Sequence, residues 1–233
     1  MKDYHEMSQR SASLLIDYIK EKEDTVLGLA TGSTPVGMYQ SLIQGYQQGA
    51  VSFRKVKTFN LDEYVGLQKE HPNSYHYYMN EQLFKHIDIP TEQTFIPNGA
   101  ANDLEGECQR YEQLIAEAGK VDIQVLGLGL NGHIGFNEPG TPFTSRTHVI
   151  NLMESTRQAN ARFFDSFEGV PTQAITMGIE TIMESKMILL LVSGQKKAPA
   201  LARLMNGEVS EDFPASILNR HPNVIILADE EAC

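Results

Sequence analysis

The densest chemistry in this 233-residue chain lies in Asn131-Gly132-His133-Ile134-Gly135-Phe136-Asn137-Glu138, where one imidazole and one carboxylate stand among glycines directly after an apolar run. Histidine titrates near neutral pH and can pass a proton to or from an oxygen, and either Glu138 or Asn131 can fix its tautomer and orientation. The other histidines, His5, His71, His76, His86, His148 and His221, have no comparable setting and read as structural. A second candidate is Thr58-Phe59-Asn60-Leu61-Asp62-Glu63-Tyr64, with two adjacent carboxylates. Removing a proton from a carbon beside a carbonyl needs a positioned base, and a partly desolvated carboxylate can serve. Adjacent acids rarely both enter one site, so one of Asp62 and Glu63 is the candidate base and the other a cap or a solvated turn.

Two further stretches suit an anion. Gly28-Leu29-Ala30-Thr31-Gly32-Ser33-Thr34-Pro35 offers small residues at a turn, hydroxyls at Thr31, Ser33 and Thr34, and a proline suited to a first helical position. Free N–H groups and the positive end of a helix dipole favour phosphate there, and Gly32 lets the backbone approach it closely. Alone this is also the signature of an ordinary capped helix, because it matches neither a dinucleotide fingerprint nor the P-loop spacing. Ser193-Gly194-Gln195-Lys196 adds a cation at a helix start, an unfavourable place for one unless a ligand compensates. Arg162 can add a planar guanidinium suited to phosphate oxygens, and Lys197 is the competitor of Lys196.

These residues need elements to position them. Short apolar runs alternate with helical patterns, which predicts an α/β fold: a single Rossmann-like domain over residues 1–233, with an open, mainly parallel sheet and helices on both faces. Strands are expected over 26–30, 56–59, 123–128, 147–152, 187–192 and 224–227, and helices over 3–20, from Pro35, and over 74–84, 104–118, 155–164 and 196–205. In open α/β sheets ligands bind beyond the carboxyl ends of strands. Residues 31–34, 60–64, 129–138 and 193–196 all follow expected strands, so four chemically suggestive segments converge on one pocket.

Composition narrows the partners. The chain is 41% hydrophobic and 21% charged, as a soluble globule requires. No apolar stretch approaches the roughly 20 residues that cross a bilayer. The net charge of −11 opposes nucleic acid and anionic lipid. Met1 to Arg10 lacks the apolar core of a secretory signal, so the expected location is cytoplasmic. Cys108 and Cys233 are far apart and without metal spacing, and are expected to be free thiols.

At Leu29 to Pro35, Asn60 to Leu67, Gly132 to Pro139 and Ala161 to Phe164 the sequence resembles the glucosamine-6-phosphate deaminase family, and the match runs almost end to end. The resemblance implies conversion of a phosphosugar, glucosamine 6-phosphate, with water into fructose 6-phosphate and ammonia, with no metal or organic cofactor. It makes Asp62 the base at C2, His133 the group that assists ring opening, and Glu138 the carboxylate that orients the imidazole. Thr31, Gly32, Ser33 and Thr34 become the phosphate loop, and Arg162 and Lys196 its cations. A lid is implied around 152–180, with Gly169 and Pro171 as pliable points.

Three departures qualify this. Asn131 stands where one branch has Asp, and an amide cannot take a proton, so it can only orient. His148 and Ile150 replace basic residues of the allosteric, hexameric branch, so no such regulatory site is expected and the chain is read as a monomer or small homo-oligomer. An edge strand usual before the first helix is expected to be absent or shortened. The competing readings are a phosphosugar lactonase of the same superfamily, against which Phe136 to Pro139 and Leu61 to Tyr64 weigh, and a non-catalytic sugar-phosphate sensor.

Overall fold

The computed structural model describes residues 1–233. Helix α1 (Tyr4–Glu21) begins where the Asp3 carboxylate accepts from the Glu6 N–H, and it buries Met7, Ala12, Leu15 and Ile19 along one face. There follow β1 (Val26–Leu29), α2 (Val36–Gln47), β2 (Lys57–Asn60), β3 (Asp62–Tyr64), α3 (Tyr75–Gln82), β4 (Thr94–Phe95), α4 (Leu104–Glu117) and β5 (Ile123–Gly127). The second half comprises β6 (His148–Asn151), α5 (Glu154–Asn160), β7 (Gln173–Thr176), α6 (Ile179–Met183), β8 (Met187–Val192), α7 (Ala198–Asn206) and β9 (Val224–Ala228). No helix is long and apolar enough to cross a membrane.

Six strands form one wholly parallel sheet in the order β4-β2-β1-β5-β8-β9. Alternate side chains of its central strands enter two cores, as burial on both faces of a parallel sheet demands. Leu27, Leu29, Ile123 and Val125 pack with α1, α2 and α3, whereas Phe59, Leu126, Ile188 and Leu190 pack with α4, α6 and α7. From β1 the chain winds outward to β2 and β4, and from β5 it winds the other way to β8 and β9. The reversal between β1 and β5 opens a crevice at their carboxyl ends. In register Leu29 lies beside Asn60, so the turn beginning at Thr31 and the strand beginning at Asp62 rise side by side.

A second sheet was absent from the sequence expectation. Strands β3, β7 and β6 pair antiparallel, with Asp62 opposite Thr176 and His148 opposite the same residue from the other side. β3 has three residues and β7 four, too short for alternation to stand out. Asp62 therefore sits on a paired strand and not on the loop expected over 60–64. β4 and α6 were unexpected for the same reason of length. The helix expected over 155–164 ends at Asn160 and tightens into a 3₁₀ turn, and that expected over 196–205 starts two residues later, after another such turn.

The opposite end of the sheet is tied by Asp122, which is 1% exposed. Burial alone would raise its pKa, but hydrogen bonds from Lys186, the Val26 N–H and Lys22 outweigh this and hold it below 3.8. A depressed carboxyl stabilises the fold above its unfolded pKa and loses that contribution as pH falls through the folded one. Asp122→Ala should cost about 2–4 kcal/mol at neutral pH in urea denaturation, with the difference shrinking below about pH 4. An equal loss at pH 3 and pH 7 would refute the charge-based account.

Candidate active site

The chain leaves β5 through Leu128 and Gly129 and turns back on itself, the Gly129 N–H donating to the His133 carbonyl. This turn presents His133 to the crevice, with Nδ1 2.7 Å from Asn131 Oδ1. The Asn131 amide can face only one way, because its Nδ2 donates to Glu138 Oε2 at 2.9 Å. Its oxygen is thereby left for the imidazole, and an oxygen that only accepts requires the proton on Nδ1. Nε2 remains as the free basic nitrogen. Burial lowers the His133 pKa, and Lys197 lowers it further against the opposing pull of Glu138, so the ring is neutral at pH 7. Glu138, 4% exposed, is 3.7 Å from Nδ1 and acts on the imidazole chiefly through Asn131. Its other oxygen accepts from the Thr156 hydroxyl on α5.

The two adjacent carboxylates separate cleanly. Glu63 turns away from the crevice and accepts from the N–H groups of Tyr64, Tyr75 and His76, with His76 Nδ1 a further 3.0 Å contact. It is the anchor of α3. Asp62 is 5% exposed, and no hydrogen-bond donor holds its oxygens. Burial, with a smaller push from the Glu63 charge, raises its pKa to about 8. The space in front of it exists because residue 135 is glycine. At φ +57° a side chain would be strained, and a Cβ there would lie 3.5 Å from Asp62 Oδ2 and 3.1 Å from Thr176 Oγ1. The His133 loop thus passes directly beside Asp62 at Gly135.

The anion end is built from the β1 and β8 turns. Gly32 has φ +89°, a conformation glycine adopts without strain, and its carbonyl accepts from Tyr78. Tyr4 braces the same turn from α1, donating to the Ser33 carbonyl at 3.2 Å and accepting from the Gly37 N–H at 2.8 Å. Ser33, Thr34 and Ser193 line one open cleft of about 420 Å³ with Tyr4 and Val36. Asp229, after β9, holds the second turn by accepting from the Ser193 hydroxyl and the Gly194 N–H.

The cation expected here was Lys196, and the two neighbouring lysines are placed differently. Lys196 is exposed, whereas the half-buried Lys197 turns inward and donates from Nζ to the Leu128 carbonyl at 2.5 Å. Burial lowers the Lys197 pKa, and the nearby Arg162 guanidinium lowers it further. Arg162, beside α5 with its guanidinium 4.7 Å from the Phe163 ring centre, forms no ion pair, and neither does Lys197. Two neighbouring uncompensated cations in a chain of net charge −11 call for an anion between them. Position 197 directly precedes α7, so its side chain reaches back over the end of β5; that offset of one residue is visible only once the helix start is known. Thr156, Thr176 and Asp229 were also missed, because Thr and Asp at such positions carry no local signal. Nowhere do three or more His, Cys, Asp and Glu side chains gather as a metal site would need.

Fold and site together define an α/β protein that combines a hydroxyl-lined open cleft with a buried carboxylate and a neutral imidazole. Residues 3–226 match the family described as glucosamine-6-phosphate isomerases/6-phosphogluconolactonase, and the chain belongs to that family. It is 60% identical over 230 residues to a glucosamine-6-phosphate deaminase of Geobacillus sp. (strain WCH70), covering 99% of this chain and 92% of the relative. Identity to glucosamine-6-phosphate deaminase 1 of Bacillus subtilis (strain 168) is 58% over 229 residues, covering 98% and 95%. Among solved structures, a monomeric glucosamine-6-phosphate deaminase superposes with a TM-score of 0.98 at 58% identity, covering 100% of this chain and 96% of that one. A 6-phosphogluconolactonase from Thermotoga maritima reaches 0.78 at 19% identity, covering 99% and 97%, a likeness of fold alone.

Two tests follow from the geometry. Lys197→Ala should raise the KM for a phosphorylated substrate about 10- to 100-fold, and Lys196→Ala less than about twofold; equal effects would undo the choice of Lys197. Asp62 has a folded pKa above its unfolded value, so its burial costs nothing below about pH 4 and progressively more as pH rises to about 8. Asp62→Asn should therefore stabilise the fold by about 1–3 kcal/mol at pH 8, with the gain fading towards pH 4 in thermal melts. A destabilised variant at pH 8 would contradict the unpaired burial of this group.

Proposed function

We propose that this chain converts glucosamine 6-phosphate and water into fructose 6-phosphate and ammonia. The observation that carries the reading is that the chain holds both an unpartnered buried carboxylate, Asp62, and two neighbouring cations outside any ion pair, Arg162 and Lys197; Ser33 and Thr34 of the Thr31–Thr34 turn line an open cleft with Ser193, close in sequence to Lys197. The phosphate lies on the N–H groups and hydroxyls of Thr31, Gly32, Ser33 and Thr34 and on the two cations. His133 Nε2 takes the proton of the anomeric hydroxyl and returns one to the ring oxygen, which opens the sugar.

Asp62 then removes the proton from C2, adjacent to the C1 aldehyde, and delivers it to C1, while a proton leaves the C2 ammonium and one is gained by O1, which becomes a hydroxyl. The resulting C2 iminium adds water and loses ammonia, leaving the ketone. A carboxylate raised to about 8 is a stronger base than an ordinary one. The substrate's ammonium at C2 favours its ionised form once bound. Glu138 and Asn131 keep the imidazole in its Nδ1–H tautomer throughout. We take Met153–Gly169 to be the pliable cover, since β7, which follows it, is buried at Ala174, Ile175 and Thr176. Every group in this scheme comes from one chain, which supports a monomer as the working unit. A phosphorylated substrate does not cross membranes unaided, which supports a cytoplasmic location.

A coupled assay for ammonia and fructose 6-phosphate should detect turnover of glucosamine 6-phosphate; hydrolysis of 6-phosphogluconolactone without ammonia release would replace this reading. Asp62→Asn should lower kcat by about 10³-fold or more while retaining ligand binding by calorimetry. His133→Gln should regain part of its activity on an open-chain analogue. Equal loss on ring and open-chain forms would remove ring opening from the role of His133.

A further inference from the structure

The segment from Leu152 to Val170, which holds the cover proposed above, buries only three residues, Leu152, Thr156 and Val170. Thr156 is the polar one, 5% exposed, and its hydroxyl donates to Glu138 Oε1. α5 is seated as one piece with the turn that follows it. The Arg157 Nη2 donates to the carbonyls of Val170 at 2.9 Å and Phe167 at 3.3 Å, and the guanidinium lies 4.4 Å from the Phe167 ring centre. A cover held by so few buried groups opens at low cost, and opening takes the Thr156 hydroxyl away from Glu138.

The consequence lies at the other oxygen of the same carboxylate. Two neutral donors, Asn131 Nδ2 and the Thr156 hydroxyl, hold Glu138 with its face to Asn131 and 3.7 Å from His133 Nδ1. Without the Thr156 bond one oxygen loses its partner in a buried site, and the carboxylate is free to turn towards the imidazole, competing with Asn131 Oδ1 for Nδ1–H and favouring a protonated ring. Resting on the reaction proposed above, we infer that Thr156 is a positioning residue: its hydroxyl, carried in on α5, holds Glu138 to Asn131, so that seating of the cover keeps His133 as a neutral base. The charged groups around His133 are Glu138 from its own loop and Lys197 from the turn before α7. Lys197 opposes protonation in either arrangement, so the change on opening comes from Glu138.

Thr156→Val keeps the shape and deletes the donor, and Thr156→Ser restores it. In ligand-free protein, imidazole NMR should show His133 titrating about half a pH unit or more higher in Thr156→Val, with Thr156→Ser returning it. Turnover of glucosamine 6-phosphate should show kcat lowered about tenfold, KM changed less than about twofold, and rescue by serine. In a Glu138→Gln background the valine substitution should have no further effect on either readout. An unchanged His133 titration in Thr156→Val, or effects additive with Glu138→Gln, overturns the inference, and a loss of thermal stability alone assigns Thr156 to packing and does the same. Thr156→Ala repeats the comparison if valine disturbs the seat of α5. The NMR measurement needs no turnover, so a chain inactive on glucosamine 6-phosphate would sink the proposed function and leave Thr156 to be decided separately.

Discussion

Asp62 carries a carboxylate that is almost wholly buried and held by no donor, and such a group keeps its place only if the backbone around it is fixed. Much of the molecule outside the main sheet can be understood from that requirement. β3 is pinned against β7, β7 against β6, and Glu63 fastens the start of α3 to the same strand through the backbone N–H groups of Tyr75 and His76. The neighbouring acid thus supplies the rigidity that Asp62 cannot obtain for itself, and its charge adds to the rise in the Asp62 pKa. A base that formed good hydrogen bonds would be easier to fold around and weaker at its task.

The imidazole is governed by a different economy. Glu138 determines which way the Asn131 amide faces, and that amide determines which nitrogen of His133 keeps its proton. An aspartate at position 131 would place a second carboxylate against a buried one and directly against the ring, tending to charge the imidazole. The amide conveys orientation without conveying charge, and together with burial and Lys197 it leaves the ring neutral.

The parallel sheet was legible because its strands are long enough, or apolar enough, to stand out, as Met187–Val192 does with five of its six residues buried. The site was legible where residue type alone limits the chemistry: His133 is a histidine in a glycine-rich loop, and Asp62 an acid after a strand. What escaped was anything decided by direction. Whether Glu138 or Asn131 stands against the imidazole was open in the sequence; the closer contact belongs to Asn131. Lys196 and Lys197 are chemically equivalent in sequence and differ by about 120° around the axis of a 3₁₀ turn, which sends one to solvent and the other over Leu128. The small sheet escaped because its strands are stabilised by pairing across more than a hundred residues, as Asp62 is with Thr176, a separation no local pattern records.

The anion cleft is braced from both extremes of the chain. Tyr4 holds the turn at Ser33 and Gly37, and Asp229 holds the turn at Ser193 and Gly194. Those braces stand far apart in the sequence, before β1 and after β9. On a translating ribosome the first brace can form early, but the second must wait for β9 and the residue after it to leave the exit tunnel. A nascent chain that has already made its histidine, its base and both cations still has a slack turn at Ser193, so competence for substrate must wait for Asp229.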